Sequence, residues 1–275
     1  MPVNSVNTNP AAALSVRNLG ATNEGLDATR NRVATGLQVF NALTDASSFV
    51  IGEGASSELK SIAAVQQGIA NGRGVGQVAL AGATEVSNLL TDLRAKAISA
   101  ASPGNSESQQ ALLEEDFRNA VGQVRAFIDN ANFNGRNLLQ AGANDLGVIS
   151  DTEGGTLSLG AQDLETDVAD ALDAASLATP GDAASALGVI DSAIQRVGSA
   201  LGGLGADVRA LGAQDRFSTA ISDAVQEGLG SIVDADLGRE ATRLQAQQAK
   251  QQLSILTLSI ANAQPNILTA FTPAA

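Results

Sequence analysis

Eight apolar residues, Leu187, Ile190, Ile194, Val197, Leu201, Leu204, Val208 and Leu211, follow one another in unbroken steps of three and four. Such steps average 3.5 residues, the repeat that keeps one apolar seam facing a partner as two helices wind together. The stripe alone specifies one helix of about 37 Å, at about 1.5 Å per residue. Asp182, after Thr179-Pro180-Gly181, is its expected cap. Three further segments repeat the pattern. Leu19, Leu26, Val33 and Phe40 recur every seven residues. Val75, Ala79, Gly82, Val86, Leu89, Leu93 and Ala97 mark a second long helix. Leu113, Phe117, Val121, Val124, Ile128 and Ala131 mark a third, between Ser102-Pro103-Gly104 and Asn134-Gly135. None of them alternates as a strand would.

The composition fits that reading. Hydrophobic residues make up 44% of the chain, yet Trp and Tyr are absent and aromatics reach only 3%. Small and aliphatic side chains suit helices packed side to side better than a compact mixed core. The net charge of −13 gives no electrostatic reason to bind nucleic acid or an anionic membrane, and neither partner is expected.

Between Gly142 and Gly181 the helical pattern stops and Gly, Asp, Thr and Ser accumulate. Leu146-Gly147-Val148-Ile149 and Thr156-Leu157-Ser158-Leu159 flank Thr152-Glu153-Gly154-Gly155, which predicts a β-hairpin. A short acidic helix is expected over Asp163–Leu177, and 142–182 reads as the outermost, most variable region. Both ends carry one apolar stripe and no partner within their own segment. Ordering the backbone costs about 1–2 kcal/mol per residue, which a lone stripe does not offset. The ends therefore pair with each other or fold only against other subunits, and folding on assembly is the favoured expectation.

Sites of chemistry are scarce. Without Cys there is no thiol or disulfide chemistry, and without His no Ser has its usual base. Gly72-Arg73-Gly74-Val75-Gly76 has the wrong spacing for a phosphate loop and reads as small residues in a closely packed, locally soft helix. Asp234 reads as a helix cap with Asp236 in the first turn, in preference to a metal pair completed by Glu240. The cluster Asp163, Glu165, Asp167, Asp170 and Asp173 reads as a solvated face. Catalysis, metal and cofactor are not expected. Residues 1–7 have neither a basic start nor an apolar core, so they do not read as a secretory signal. No run approaches the ~18 apolar residues that span a bilayer.

Several stretches resemble one family. Asn7-Thr8-Asn9 is similar to the opening of bacterial flagellins, and Asn132-Phe133-Asn134-Gly135 resembles the Phe-Asn-Gly signature that ends their third helix. Gly230-Ser231-Ile232-Val233-Asp234-Ala235-Asp236-Leu237, Gln251-Gln252-Leu253 and Leu258-Ser259-Ile260-Ala261-Asn262 resemble the C-terminal signature of alphaproteobacterial flagellins. Together they cover about residues 1–140 and 185–271.

The resemblance implies a mainly α fold: a long antiparallel helical coiled-coil bundle, a small β-hairpin region, and paired N- and C-terminal helices. It implies an inner domain of 1–45 and 230–275 that folds on assembly, and a helical rod of 46–229 that includes the hairpin region 142–182. The implied function is polymerisation into the flagellar filament for swimming. Implied partners are other copies of the chain, an export chaperone, the filament cap and hook-junction proteins. Export through the flagellum's own channel would need no signal peptide. A hook–filament junction protein is the nearest alternative, and a helical-bundle adhesin or secretion-needle component is a more distant one. The residues expected to drive assembly are Val6, Asn7, Leu19, Leu26, Val33, Phe40, Leu253, Leu256, Ile260 and Leu268. Ser150, Thr152, Thr156 and Ser158 are candidate O-glycosylation sites.

Three departures stand out. The family's basic and acidic inter-domain connector is replaced by Gly36-Leu37-Gln38-Val39-Phe40-Asn41-Ala42-Leu43-Thr44-Asp45, which predicts a drier connector with fewer ion pairs. The stretch read by the innate flagellin receptor is Thr91-Asp92-Leu93-Arg94-Ala95-Lys96-Ala97, with Asp92 at an Arg position, so weak receptor activation is expected. The chain closes Phe271-Thr272-Pro273-Ala274-Ala275 where a basic residue is usual.

Overall fold

A computed structural model describes residues 8–269. Six α-helices dominate the described chain: α1 (Pro10–Thr35), α2 (Ala46–Ala100), α3 (Glu107–Asn130), α4 (Ala171–Asp173), α5 (Pro180–Val233) and α6 (Leu237–Thr269). Two small antiparallel pairs interrupt them, β1 (Asn132–Phe133) with β2 (Arg136–Asn137), and β3 (Leu146–Ile149) with β4 (Thr156–Leu159). The described residues form two compact units. One joins the chain up to Ser57 with the chain from Ala224 onward, and the other is Glu58–Asp223. Both divisions fall inside a helix, within α2 and within α5.

Local chemistry sets the helix ends. The Asn9 side chain accepts from the Ala12 amide at 3.0 Å, Pro10 follows, and Gly36 closes α1 at φ 74°. A reciprocal Ser106/Gln109 capping box starts α3. Two caps differ from the sequence expectation. The Thr179 hydroxyl, not Asp182, caps α5, accepting from the Asp182 amide at 3.1 Å and donating to the Asp182 carboxylate at 2.7 Å. Pro180 fills the first helical position, which moves the cap one residue before it. Likewise Asp236, not Asp234, accepts from the Arg239 amide at 3.1 Å at the start of α6.

The core of the 58–223 unit is one contiguous cluster contributed by α2, α3, α5 and the segment between them. On α5 the fully buried core positions are Ala183, Ala186, Ile190, Ala193, Val197, Ala200, Leu204 and Leu211, while Leu187, Ile194 and Leu201 pack at its margin. The seam is thus turned toward the alanines, which let neighbouring helices approach closely.

The β3–β4 hairpin forms in the expected strands, Leu146 opposite Leu159 through Ile149 opposite Thr156. Val148 and Leu159 are buried in the core, as are Leu164, Val168, Leu172 and Leu177 after the hairpin. The region 142–182 is therefore part of the core as well as surface. The acidic helix expected over 163–177 is a π-helical stretch, Glu165–Asp170, that runs into the short α4. Its carboxylates are engaged. Arg125 donates to Asp170 at 2.6 Å and to Asp173 at 2.5 Å, and Arg196 donates to Asp167 at 2.9 Å. The Asp170 and Asp173 bonds hold the Arg125 guanidinium more firmly protonated than usual.

Candidate assembly surface on the terminal helices

In the first unit α1 packs along α6. On α1 one row withdrawn from solvent runs Ala12, Ser15, Leu19, Thr22, Leu26, Thr29 and Val33, flanked by half-buried Asn23, Gly25, Ala28 and Arg32; on α6 the row is Glu240, Leu244, Gln247, Gln251, Ser254, Leu258 and Ala261. Both rows run in steps of three and four, so the pair has coiled-coil spacing. Many members are polar. Ser15, Thr22 and Thr29 return their hydroxyl protons to the carbonyls of Ala11, Asn18 and Gly25 on their own helix. Gln251 donates across to Asn23 at 2.7 Å, and Asn9 donates to the Ala261 carbonyl at 2.7 Å. Gly25 lies against Gln247, where a Cβ would come within 3.2 Å of the amide nitrogen.

Leucines and an isoleucine of α6 stand just off this seam and face out. Leu253, Leu256 and Ile260 are 62%, 60% and 67% exposed, against 1% for Leu26 on α1. Leu14 and Val16 of α1 are also exposed. The expected assembly residues thus fall into two groups. Leu26 is buried in the seam, with Leu19 and Val33 half-buried there, while Leu253, Leu256 and Ile260 have no cover among the described residues. Val6, Asn7 and the Leu268 side chain lie outside the described residues. Hydrophobicity alone puts Leu253 and Leu256 at the centre of the C-terminal stripe; the geometry puts the glutamines there. The signal that separates them is the polar row Glu240, Gln247, Gln251 and Ser254 in exact register with Leu244 and Leu258.

The connector is tied to the start of α6. Leu37 bridges Asp234, the Gln38 amide donates to Val233 at 2.7 Å, and the Ala235 amide donates to Gly36 at 2.8 Å. Val39 is buried, and half-buried Phe40 shares an apolar recess with Leu37, Phe49, Leu229 and Val233. Leu43, by contrast, is 97% exposed. The drier part of the connector is Val39–Phe40, and Leu43 adds nothing to it.

The carboxylates weighed for metal binding have structural tasks. Asp236 caps α6, and Glu240 turns into the seam, where Arg243 donates to it at 2.6 Å and Arg32 stands 3.7 Å away. Gly72, Gly74 and Gly76 lie within α2, against Val148, Phe133 and Val208. Among the candidate glycosylation residues Thr152, Thr156 and Ser158 are exposed, and Ser150 is half-buried with its carbonyl accepting from Gln214 at 2.7 Å. In the stretch Thr91–Ala97, Asp92 is exposed and Arg94 donates to Asp191 at 2.7 Å. No helix of the described residues is long and apolar enough to cross a membrane.

Comparison with known proteins covers both ends of the chain. Residues 6–144 match the bacterial flagellin N-terminal helical region, and residues 187–271 match the bacterial flagellin C-terminal helical region. Flagellin FljO of Caulobacter vibrioides is 30% identical over 272 residues, which span 98% of this chain and 100% of that one. A flagellin of Brucella melitensis is 30% identical over 280 residues, covering 97% and 99% of the two chains. Among solved structures, Bacillus cereus flagellin superposes with a TM-score of 0.52 at 20% identity, over 55% of this chain and 88% of that one. A putative flagellar hook-associated protein from Vibrio parahaemolyticus superposes with a TM-score of 0.57 at 15% identity, over 70% and 100%. At such identities the two structures speak to the fold alone.

Proposed function

The chain belongs to the bacterial flagellin family, and from that membership we infer how this subunit builds its polymer. It is a structural subunit of the flagellar filament, the helical propeller of swimming. Its work is polymerisation and not catalysis, carried out in the extracellular filament after export as an unfolded chain. The terminal segments, 1–45 and 230–275, form the inner part of the filament and become fully ordered there, and residues 46–229 lie outside them. A chaperone before export, a cap at the growing tip and junction proteins at the hook complete the set of partners.

One observation carries this reading: α6 is already covered by α1 along one face and still exposes Leu253, Leu256 and Ile260 beside it. Burying each such side chain contributes about 1.5–3 kcal/mol. Neighbouring subunits supply that burial. The contact is head-to-tail and does not close, so a helical tube grows. Val6, Asn7 and Leu268 remain assembly residues by their place in the sequence, while Leu19, Leu26, Val33 and Phe40 support the surface from within the chain.

Leu256→Asp tests the reading directly. A charge there is tolerated by the exposed face of the soluble chain but is buried without a partner on assembly. The purified variant keeps its helical content and yields no sedimentable filaments. Normal filaments from it would refute the assignment. A hook–filament junction protein is separated by the same preparation, because that alternative requires the unmodified chain alone to form no long filaments.

A further inference from the structure

Three polar rungs cross the seam between α1 and α6: Asn9 with the Ala261 carbonyl, Asn23 with Gln251, and Arg32 with Glu240. Asn9, Asn23 and Arg32 ascend α1 as Ala261, Gln251 and Glu240 descend α6, so all three belong to one antiparallel register. The last rung is the most enclosed. Glu240 is 6% exposed, its Oε1 receives Arg243 at 2.6 Å and lies 3.7 Å from Arg32, and Glu240 Oε2 and Arg32 Nε are buried without a hydrogen-bond partner among the described residues. Arg32 lies in the last turn of α1 and Glu240 in the first turn of α6, where the helix dipoles favour a cation and an anion respectively.

The apolar members of the seam do not define that register. Leu19, Leu26 and Val33 recur every seven residues, and on α6 Leu244 and Leu258 stand two such intervals apart, with polar Gln251 midway. Sliding one helix by a heptad, about 10.5 Å at about 1.5 Å per residue, brings rows of equal spacing together again. The same slide leaves Glu240 only Arg243 of its own helix, takes from the largely enclosed Arg32 its facing carboxylate, and breaks the Asn9–Ala261 and Asn23–Gln251 contacts, a combined loss more costly than a broken surface pair.

We propose that these rungs, with Arg32–Glu240 foremost, are a register lock for the terminal helix pair. The lock fixes the level along α1 at which Leu253, Leu256 and Ile260 are presented. Polar seam residues with one permitted alignment give up stability for specificity, as a buried asparagine does in a coiled coil. All three rungs lie within one chain and act whenever its terminal helices pair, so the proposal does not depend on that chain polymerising unaided.

The chain has no cysteine, so disulfide trapping reads the register cleanly. Closure requires Cα atoms within about 7 Å, which a slide of one heptad abolishes. The pair Leu19→Cys with Ser254→Cys reports the level seen here, and Leu19→Cys with Gln247→Cys or Ala261→Cys reports the two one-heptad slides. With Arg32 and Glu240 intact, only the first pair closes on mild oxidation. In a Glu240→Gln background its yield falls at least twofold and a slid pair gains in its place. Asn23→Leu with Gln251→Leu, which packs equally well at any level and so keeps the helices paired, also admits a slid pair. Exclusive and undiminished closure of the first pair in both backgrounds overturns the proposal. So does loss of every cross-link with no slid pair, which would make the rungs adhesive and not registering, and so does failure of the first pair to close in the parent chain.

Discussion

A methyl group does not fit at Gly72 or Gly76. A Cβ at Gly72 would lie 2.5 Å from Val148 Cγ2, and one at Gly76 would lie 2.5 Å from Val208 Cγ2 and 2.9 Å from Leu159 Cδ2. Gly72→Ala gains about 1 kcal/mol in helix propensity and loses about 1–3 kcal/mol to overpacking. The variant is expected to unfold earlier in urea. Gly68→Ala is the control: nothing lies within 4 Å of its Cβ, so stability rises by about 0.5–1 kcal/mol. A gain at both positions would show that α2 relaxes freely around the hairpin. Asp45 poses a different problem at the start of α2. It accepts from the Ser47 and Ser48 amides and from the Ser48 hydroxyl, and the Ser48 bonds above all hold its carboxyl below the usual aspartate value. A depressed carboxyl stabilises the fold above its unfolded value and loses that effect as pH falls through the lower folded value. Amide protection at Ser47 and Ser48 should therefore persist to the acid edge of the aspartate range. Asp45→Ala should remove it at every pH, and unchanged protection in that variant would dismiss the cap.

Between elements, the question is which face of α6 meets its own chain and which meets another. Leu26→Ala removes a fully buried side chain from the seam and is expected to destabilise the terminal unit by about 2–5 kcal/mol. Leu253→Ala removes an exposed one and should change the soluble chain by less than about 0.5 kcal/mol. Filament yield falls in both, whereas the helix content of the soluble chain falls only in the first. Equal loss of helicity in the two would mean that α6 packs on α1 through the other stripe. This division was not legible in the sequence, because a hydrophobicity reading follows Leu253 and Leu256 and passes over Gln247, Gln251 and Ser254. The long helices were legible, since unbroken three-four steps need a helix whatever it packs against. Their exact seam was not. On α5 the alanines at 183, 186, 193 and 200 take the closest approach, and alanine is a weak marker in any apolar pattern. Helix caps slipped by two or three residues for a related reason. Thr179 stands near Asp182, and Asp234 near Asp236, and only the backbone path decides which side chain reaches an orphan amide.

At the scale of the whole chain, the buried apolar residues are unequally shared. The contiguous core lies between Val65 and Leu211, within the 58–223 unit. Among the described residues of the other unit, Leu26, Val39 and Ala261 are the buried hydrophobic ones. Two helices joined along a partly polar seam recover little of the about 1–2 kcal/mol per residue needed to order their backbones. The 58–223 unit is therefore expected to fold without the ends. A chain trimmed to those residues should unfold in one cooperative transition, with a midpoint within a few degrees of the corresponding transition in the full chain, and should remain monomeric. In the full chain, amides of α1 and α6 should exchange quickly in the soluble protein and slowly in filaments, while those of α3 and of α5 around Ile190–Leu204 stay protected in both. The two measurements constrain each other. If the trimmed chain failed to fold, the ends would be part of its core and their fast exchange could not occur. If it built filaments, the outward leucines of α6 would not be the polymer's contact. Only autonomous folding with loss of polymerisation, joined to protection of the ends in the filament alone, fits a subunit that keeps its adhesive surface unfinished until a neighbour completes it.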